Sequence, residues 1–186
     1  QAMNLNLAMA GSKQQQKALA MLAIQNYNSA IEKDSVQGQL DKKNTGEIII
    51  NRGIAYALAG NIEQALTDLS KGIKIYPESA NAYLNRSLLY YNAKEYELCI
   101  KDCDAYMMLD SLNSAMFNER ALCNMMLNRP AEAIPDFSKA ISLKGTEAMF
   151  YLSRAQAYRM TGNIDASISD ARQAKKMGAQ VPPELL

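Results

Sequence analysis

Three cysteines, scattered acidic residues and the absence of histidine limit the chemistry open to this chain of 186 residues. Without histidine there is no imidazole to act as a general base, to activate a serine or cysteine, or to bind a metal ion. An odd number of cysteines does not indicate a disulfide framework. Cys99 and Cys103 are four positions apart on one face of any helix, where they are poorly placed to bond to each other.

Cys123 is the one cysteine that lies outside the matched positions of the repeat described below, because Cys99 and Cys103 correspond to Ala65 and Leu69 of the preceding repeat. With no base to activate it, a free thiol there indicates packing rather than nucleophilic catalysis. The Asp and Glu residues form no pair that stands out as an acid and a base. We therefore expect no catalytic residue, no cofactor and no metal site, and we expect that the chain is not an enzyme.

Charge and hydropathy exclude two further classes of partner. The formal net charge is +1, which implies neither a nucleic acid nor an anionic membrane surface. No apolar run approaches the ~20 residues of a membrane span. The free cysteines favour a reducing cytoplasm, but buried thiols also survive in exported proteins, so the compartment stays open.

A repeat of 34 residues organises most of the chain. Four segments, which start at residues 51, 85, 119 and 153, align without a gap: NRGIAYALAGNIEQALTDL, NRSLLYYNAKEYELCIKDC, ERALCNMMLNRPAEAIPDF and SRAQAYRMTGNIDASISDA. Small residues recur at Gly53, Ser87, Ala121 and Ala155. The apolar spacing on both sides of each central turn is helical, so each unit is predicted to be two antiparallel helices.

These units resemble the tetratricopeptide repeat, a helix-turn-helix with small and aromatic residues at fixed places and a closing proline. In the first unit the matching residues are Ile49, Gly53, Tyr56, Ala65, Leu69, Gly72 and Pro77. The resemblance covers residues 46 to about 179. It implies an all-α fold, a right-handed superhelical solenoid of antiparallel helix pairs.

The repeat period sets the expected organisation of the chain. We expect repeat units at 46–79, 80–113, 114–147 and 148–179, and the start of a C-terminal cap at 180–186. Residues 4–45 are expected to form a degenerate repeat or a helical cap together with a loop. The polar segment 36–46 is expected to be that extended loop.

Arginine recurs at 52, 86, 120 and 154, and aspartate recurs at 68, 102, 136 and 170. One interpretation is a basic ladder that grips an acidic ligand. The other is a structural pair, because a guanidinium suits a carboxylate at an interface. We favour the structural pair, since the aspartates follow the same period.

The first helix of each unit lines a concave surface in the repeat family, and helical geometry assigns the residues that face it. This face is unusually apolar, as is typical of an interaction site, and its methionines can adapt to varied partners. The expected partner-binding residues are Ile50, Asn51, Ile54, Leu58, Leu84, Asn85, Leu88, Tyr91, Asn118, Leu122, Met125, Met126 and Leu152.

Two of these residues carry a more specific resemblance. Asn51 and Asn85 are similar to the asparagines that hold an extended peptide backbone in the repeats of O-GlcNAc transferase; the alternative is that they are ordinary polar residues at the rim. The carboxylate clamp of cochaperone repeats is effectively absent, because only Asn85 agrees with it. Its other places are taken by Ile50, Ile54, Ala115 and Glu119, and Glu119 would repel a carboxylate.

The predicted function is therefore a non-catalytic scaffold that binds a peptide or helix of a partner protein. The alternative is a structural spacer in a larger chain or assembly, whose groove is covered intramolecularly or by self-association. The identity of the partner does not follow from the sequence.

Overall fold

The computed structural model describes residues 2–38 and 40–186, and these residues form nine α-helices and no strand. The helices are α1 (Ala2–Gln37), α2 (Lys42–Ala59), α3 (Ile62–Ile75), α4 (Ala80–Asn92), α5 (Tyr96–Leu109), α6 (Ser114–Met126), α7 (Pro130–Leu143), α8 (Ala148–Met160) and α9 (Ile164–Lys176). A short 3-10 turn, Pro183–Leu185, follows. None of the described helices is both long and apolar enough to cross a bilayer.

The chain divides into two compact units, each larger than one repeat. The first unit ends at Leu89 and the second unit runs from Tyr90 to Leu186, and the two names are used in this sense below. In the first unit α2 packs against α1 and α3; in the second, α6, α7, α8 and α9 pack in sequence. Each unit has its own buried apolar clusters, built around Ile50 and Leu69 in the first and around Phe137 and Leu152 in the second.

The turn inside each helix pair has the same backbone conformation in all four repeats. Gly60, Lys94, Asn128 and Gly162 have φ values of 87°, 63°, 57° and 80°, and they are spaced by the repeat period. A left-handed residue ends the preceding helix and satisfies its last carbonyl groups. Gly60, for example, donates its N–H to the Ala57 carbonyl over 3.0 Å. The sequence therefore keeps this backbone geometry even where glycine is absent.

The N-terminal region differs from the expected extended loop at 36–46. α1 continues to Gln37, and α2 already begins at Lys42. The physical reason is a cap: the Asp41 carboxylate accepts the Asn44 N–H over 2.8 Å, which satisfies an orphan donor of the first turn. Ala20 and Ile24 of α1 pack against Ala55 and Ala59 of α2.

Glycine in α3 makes a close helix contact possible. A Cβ atom on Gly72 would collide with Ile50 Cγ1 and would lie 3.3 Å from the Gly46 carbonyl oxygen. Ile50 is itself only 2% exposed, so it has no free space to move into. α2 and α3 therefore pack at a distance that only a glycine allows.

We expect Gly72→Ala to lower the free energy of unfolding by about 1–2 kcal/mol, because overpacking outweighs the gain in helix propensity. Urea unfolding of the single variant and of the same change in an Ile50→Ala background measures this. In that background the alanine methyl group has room and should stabilise the protein. An equal cost in both backgrounds would show that the collision with Ile50 is not the cause.

Candidate functional site

The recurring arginines are paired with the recurring aspartates. Arg52 Nε and Nη2 donate to the two Asp68 carboxylate oxygens over 2.6 and 2.8 Å. Arg154 binds Asp170 in the same bidentate way over 2.7 and 2.9 Å. Both aspartates are buried. The hydrogen bond that each arginine donates to its aspartate is the main cause that raises the pKa of the arginine.

Arg120 and Asp136 form a third bidentate pair, with Nε 2.7 Å from Oδ2. The structural interpretation of the arginine and aspartate pattern is thus confirmed for these three pairs. Their guanidinium groups are engaged by carboxylates within their own repeat, so they do not form a free basic ladder.

The Nη1 atoms of the repeated arginines also donate to side chains of the preceding helix. The Nη1 atom of Arg154 donates to Ser138 Oγ over 2.9 Å, and that of Arg86 donates to Ser70 Oγ over 3.0 Å. Arg52 donates to Asn28 Oδ1 of α1 over 2.8 Å. Asn28 therefore takes the place of the serine, and this part of α1 serves as the second helix of a preceding pair.

The first unit carries an apolar groove between α1 and α2. It has a volume of about 470 Å³ and contains three predicted residues, Asn51, Ile54 and Leu58. Leu58 is 66% exposed and Leu19, from α1, is 62% exposed. The rest of the lining consists of Gln16, Ala20, Ala23 and Tyr27 from α1 and of Ala55 from α2.

Sequence reasoning missed the contribution of α1 to this groove. The residues Ala23 and Tyr27 do fall at the spacing of a second repeat helix, and that was the available signal. Which face of α1 meets α2 depends on tertiary packing.

The other predicted residues of the first unit are in different situations. Ile50 is buried in the core against Leu69 and Ala82, so it is not at the surface. Leu84 is partly buried and Leu88 is exposed. The Asn85 side-chain amide donates to the Asn81 carbonyl and to Asn81 Oδ1, both over 2.8 Å, which engages its N–H groups within α4.

In the second unit the predicted residues lie at several depths. Met126 is exposed, whereas Leu122 and Met125 pack partly against the cluster around Phe137. Leu152 is buried in the last cluster together with Leu185 of the C-terminal turn. Tyr91 makes an edge contact with Tyr96, with ring centres 5.8 Å apart.

Asn118 stands out in the second unit because its Oδ1 atom is buried and has no hydrogen-bond partner among the described residues. An unsatisfied buried acceptor costs free energy. It is therefore a position where a donor from a ligand would be favourable.

The three cysteines come together in the second unit, which the sequence did not indicate. Cys99, Cys103 and Cys123 are buried free thiols. The neighbouring thiols of Cys103 and Cys123 lower the pKa of Cys99, chiefly as hydrogen-bond donors to it, whereas interaction with Cys99 and burial raise the pKa of the other two. Cys99 Sγ also lies 3.5 Å from Glu119 Oε1.

Comparison with known proteins finds similarity to a known repeat family over part of the chain. Residues 50–107 match the family model described as tetratricopeptide repeat. The chain is 27% identical over 162 residues to the mitochondrial import receptor subunit TOM70 of Homo sapiens, covering 83% of this chain and 27% of the relative. It thus spans about a quarter of the length of that relative.

Solved structures show the same fold. The crystal structure of MamA superposes with a TM-score of 0.77 at 22% identity, over 90% of this chain and 93% of that one. YrrB, described as a TPR protein with an unusual peptide-binding site, gives 0.70 at 17% identity over 82% and 74% of the two chains. The predicted fold class, all-α with the architecture of these repeats, is confirmed.

Proposed function

We propose that this chain, which is built from tetratricopeptide repeats, is a non-catalytic protein-interaction scaffold that binds an apolar or amphipathic segment of a partner protein. The three bidentate arginine–aspartate pairs engage each guanidinium group with a carboxylate of its own repeat. The chemistry left at the surface is that of apolar recognition with a polar rim.

The groove between α1 and α2 is the observation that carries this proposal. It is lined on both sides by apolar side chains, and Leu19 and Leu58 are more than half exposed there. Because α1 and α2 already pack tightly at Ala20, Ile24, Ala55 and Ala59, the groove is preformed. A partner segment would pay little ordering cost on the side of the scaffold.

The polar residue at the rim adds orientation to this apolar contact. Asn51 is exposed and lines the groove beside Ile54. A primary amide offers both a donor and an acceptor to the main chain of a bound segment. We therefore assign Asn51 the role of holding a peptide backbone and Ile54 and Leu58 the role of contacting its apolar side chains.

The second unit offers a smaller apolar surface of the same kind. A pocket of about 270 Å³ is lined by Met125, Met160 and Leu185 together with Gln156, Arg159 and Glu184. Methionine side chains can adapt to different apolar ligands.

The test is selection of peptides from a displayed library on the immobilised chain, followed by measurement of affinity for Leu58→Asp. We expect selected peptides to carry apolar residues at helical or alternating spacing. A buried leucine contributes about 1.5–3 kcal/mol, so the variant should bind at least about tenfold more weakly.

Leu112→Asp is the matched control, because Leu112 is 73% exposed in the turn after α5 and lines none of the pockets described above. It should bind the selected peptides like the wild type. An equal loss in both variants, or no selected peptide at all, would overturn the proposal.

Light scattering over a wide concentration range distinguishes binding of an external partner from the alternative, a structural element whose groove is covered by self-association. A dimer that Leu58→Asp converts to a monomer would mean that a second copy covers this surface. The chain would then act as a structural element that associates with itself. A monomer at all concentrations supports an external partner.

A further inference from the structure

The thiol cluster of the second unit brings together more potential metal ligands than any single sequence segment suggests. The Sγ atoms of Cys99 and Cys103 and one carboxylate oxygen of Glu119 all lie within 4.8 Å of one another. Both cysteines are fully buried, and Glu119 is partly buried. Cys123 on α6 is also fully buried, and it is one of the groups that lower the pKa of Cys99.

The cluster also departs from the repeat at each of its positions. If Cys99, Cys103 and Glu119 only filled space, the residues that the other repeats have at the same positions would fill it equally well. None of those residues is a thiol or an acid. The equivalents of Cys99 are Ala65, Ala133 and Ser167, those of Cys103 are Leu69, Phe137 and Ala171, and those of Glu119 are Asn51, Asn85 and Ser153. The three side chains that differ from the other repeats thus lie next to one another in the structure.

The geometry suits a tetrahedral site for a soft cation. Sulfur ligands bind Zn²⁺ at about 2.3 Å and carboxylate oxygens at about 2.0–2.2 Å, so ligand atoms in such a site lie within about 4 Å of one another. The observed separations need only small side-chain movements to reach this. Two ligands four residues apart on one helix are held on the same face, which fixes half of the site before binding.

We propose that Cys99, Cys103 and Glu119 bind a thiophilic divalent cation of the Zn²⁺ type, with Cys123 available as a third sulfur ligand. Binding releases protons from the thiols, and the bound cation compensates the negative charge that would otherwise be costly in a buried place. Since the ligands come from α5 and α6, the cation would link two consecutive repeats. This role is independent of the partner-binding surfaces.

The test uses the purified chain, kept reduced and treated with a chelator, and titrated with Zn²⁺ and with Co²⁺ as a spectroscopic probe. We expect Zn²⁺ to raise the melting temperature by several degrees, because a ligand that binds only the folded state stabilises it. Co²⁺ should give thiolate charge-transfer absorption and the visible bands of a tetrahedral site. Mg²⁺, which prefers oxygen ligands, should do neither.

The site variants carry the residues that other repeats have at the same positions, so that the fold is disturbed as little as possible. Cys103→Leu and Glu119→Asn place the equivalents of Leu69 and Asn85 in the cluster, so the chelated forms should keep their helical circular dichroism. Cys103→Leu should lose the tetrahedral cobalt bands. Glu119→Asn should keep charge-transfer absorption but bind at least about tenfold more weakly.

Two results would overturn the proposal. One is a wild-type chain with neither a melting shift with Zn²⁺ nor thiolate absorption with Co²⁺; the cysteines would then be packing residues only. The other is undiminished binding by Glu119→Asn. Because that variant alters only one partly buried side chain, it tests the site even if Cys103→Leu does not fold.

Discussion

Replacing Arg154 with alanine is expected to lower the free energy of unfolding by about 3 kcal/mol, because Asp170 would remain as a buried carboxylate without its partner. The Asp170 side chain is only 10% exposed, and Arg154 makes both of its bidentate bonds and the bond to Ser138. The guanidinium also lies over the rings of Tyr151 and Tyr158. Chemical denaturation followed by circular dichroism measures the loss.

Arg129→Ala is the control for this prediction. Its ion pair with Glu97 has an N–O distance of 3.1 Å, and both side chains are largely exposed. Exposed pairs contribute about 0–1 kcal/mol, so the change should be small. Arg154→Lys should recover only part of the loss, because an ammonium group has no planar fork. Equal effects of Arg154→Ala and Arg129→Ala would contradict the structural role of the repeated pair.

Phe137→Ala is expected to cost about 3–5 kcal/mol, the range for removal of a large buried aromatic side chain. Phe137 is fully buried in α7 and packs with Ala121, Ala133 and Ala157 from three successive helices. These neighbours are alanines, whose short side chains cannot move into the space that the ring leaves. Thermal and urea unfolding of the variant measure the effect.

An exposed apolar residue serves as the comparison. Met108→Ala removes a side chain that is 89% exposed near the end of α5, and it should change the free energy of unfolding by less than about 0.5 kcal/mol. A small effect of Phe137→Ala, comparable to that of Met108→Ala, would mean that the second unit is not held by this cluster. A large loss together with unchanged peptide affinity in the remaining folded protein would separate stability from binding.

Much of the fold could be predicted from local sequence. The period places Gly60, Lys94, Asn128 and Gly162 at equivalent turns, and all four have the left-handed conformation. This works because helix spacing and turn chemistry depend on residues a few positions apart. The pattern of arginine and aspartate favoured a structural pair by the same argument, and the structure places that pair within the repeat for Arg52, Arg120 and Arg154.

The candidate surfaces were less predictable because burial depends on distant residues. Ile50 and Leu152 occupy positions on the expected inner face, yet both are buried. Ile50 fills the space that Gly72 leaves, and Leu152 packs with Leu185 from the C-terminal turn. Helical geometry gives the direction of a side chain, but it does not tell what the rest of the chain places above it.

The sequence by itself determined the repeat, its two helices and the turn between them, and it favoured a structural arginine–aspartate pair, because these features arise from short-range spacing that recurs four times. Only the tertiary structure decided which face of α1 completes the groove with Leu58, and that the thiols of Cys99 and Cys103 meet Glu119 of α6. Those arrangements depend on the packing of one helix against another. Packing is set by side-chain volumes and contacts across the fold, which no local period contains.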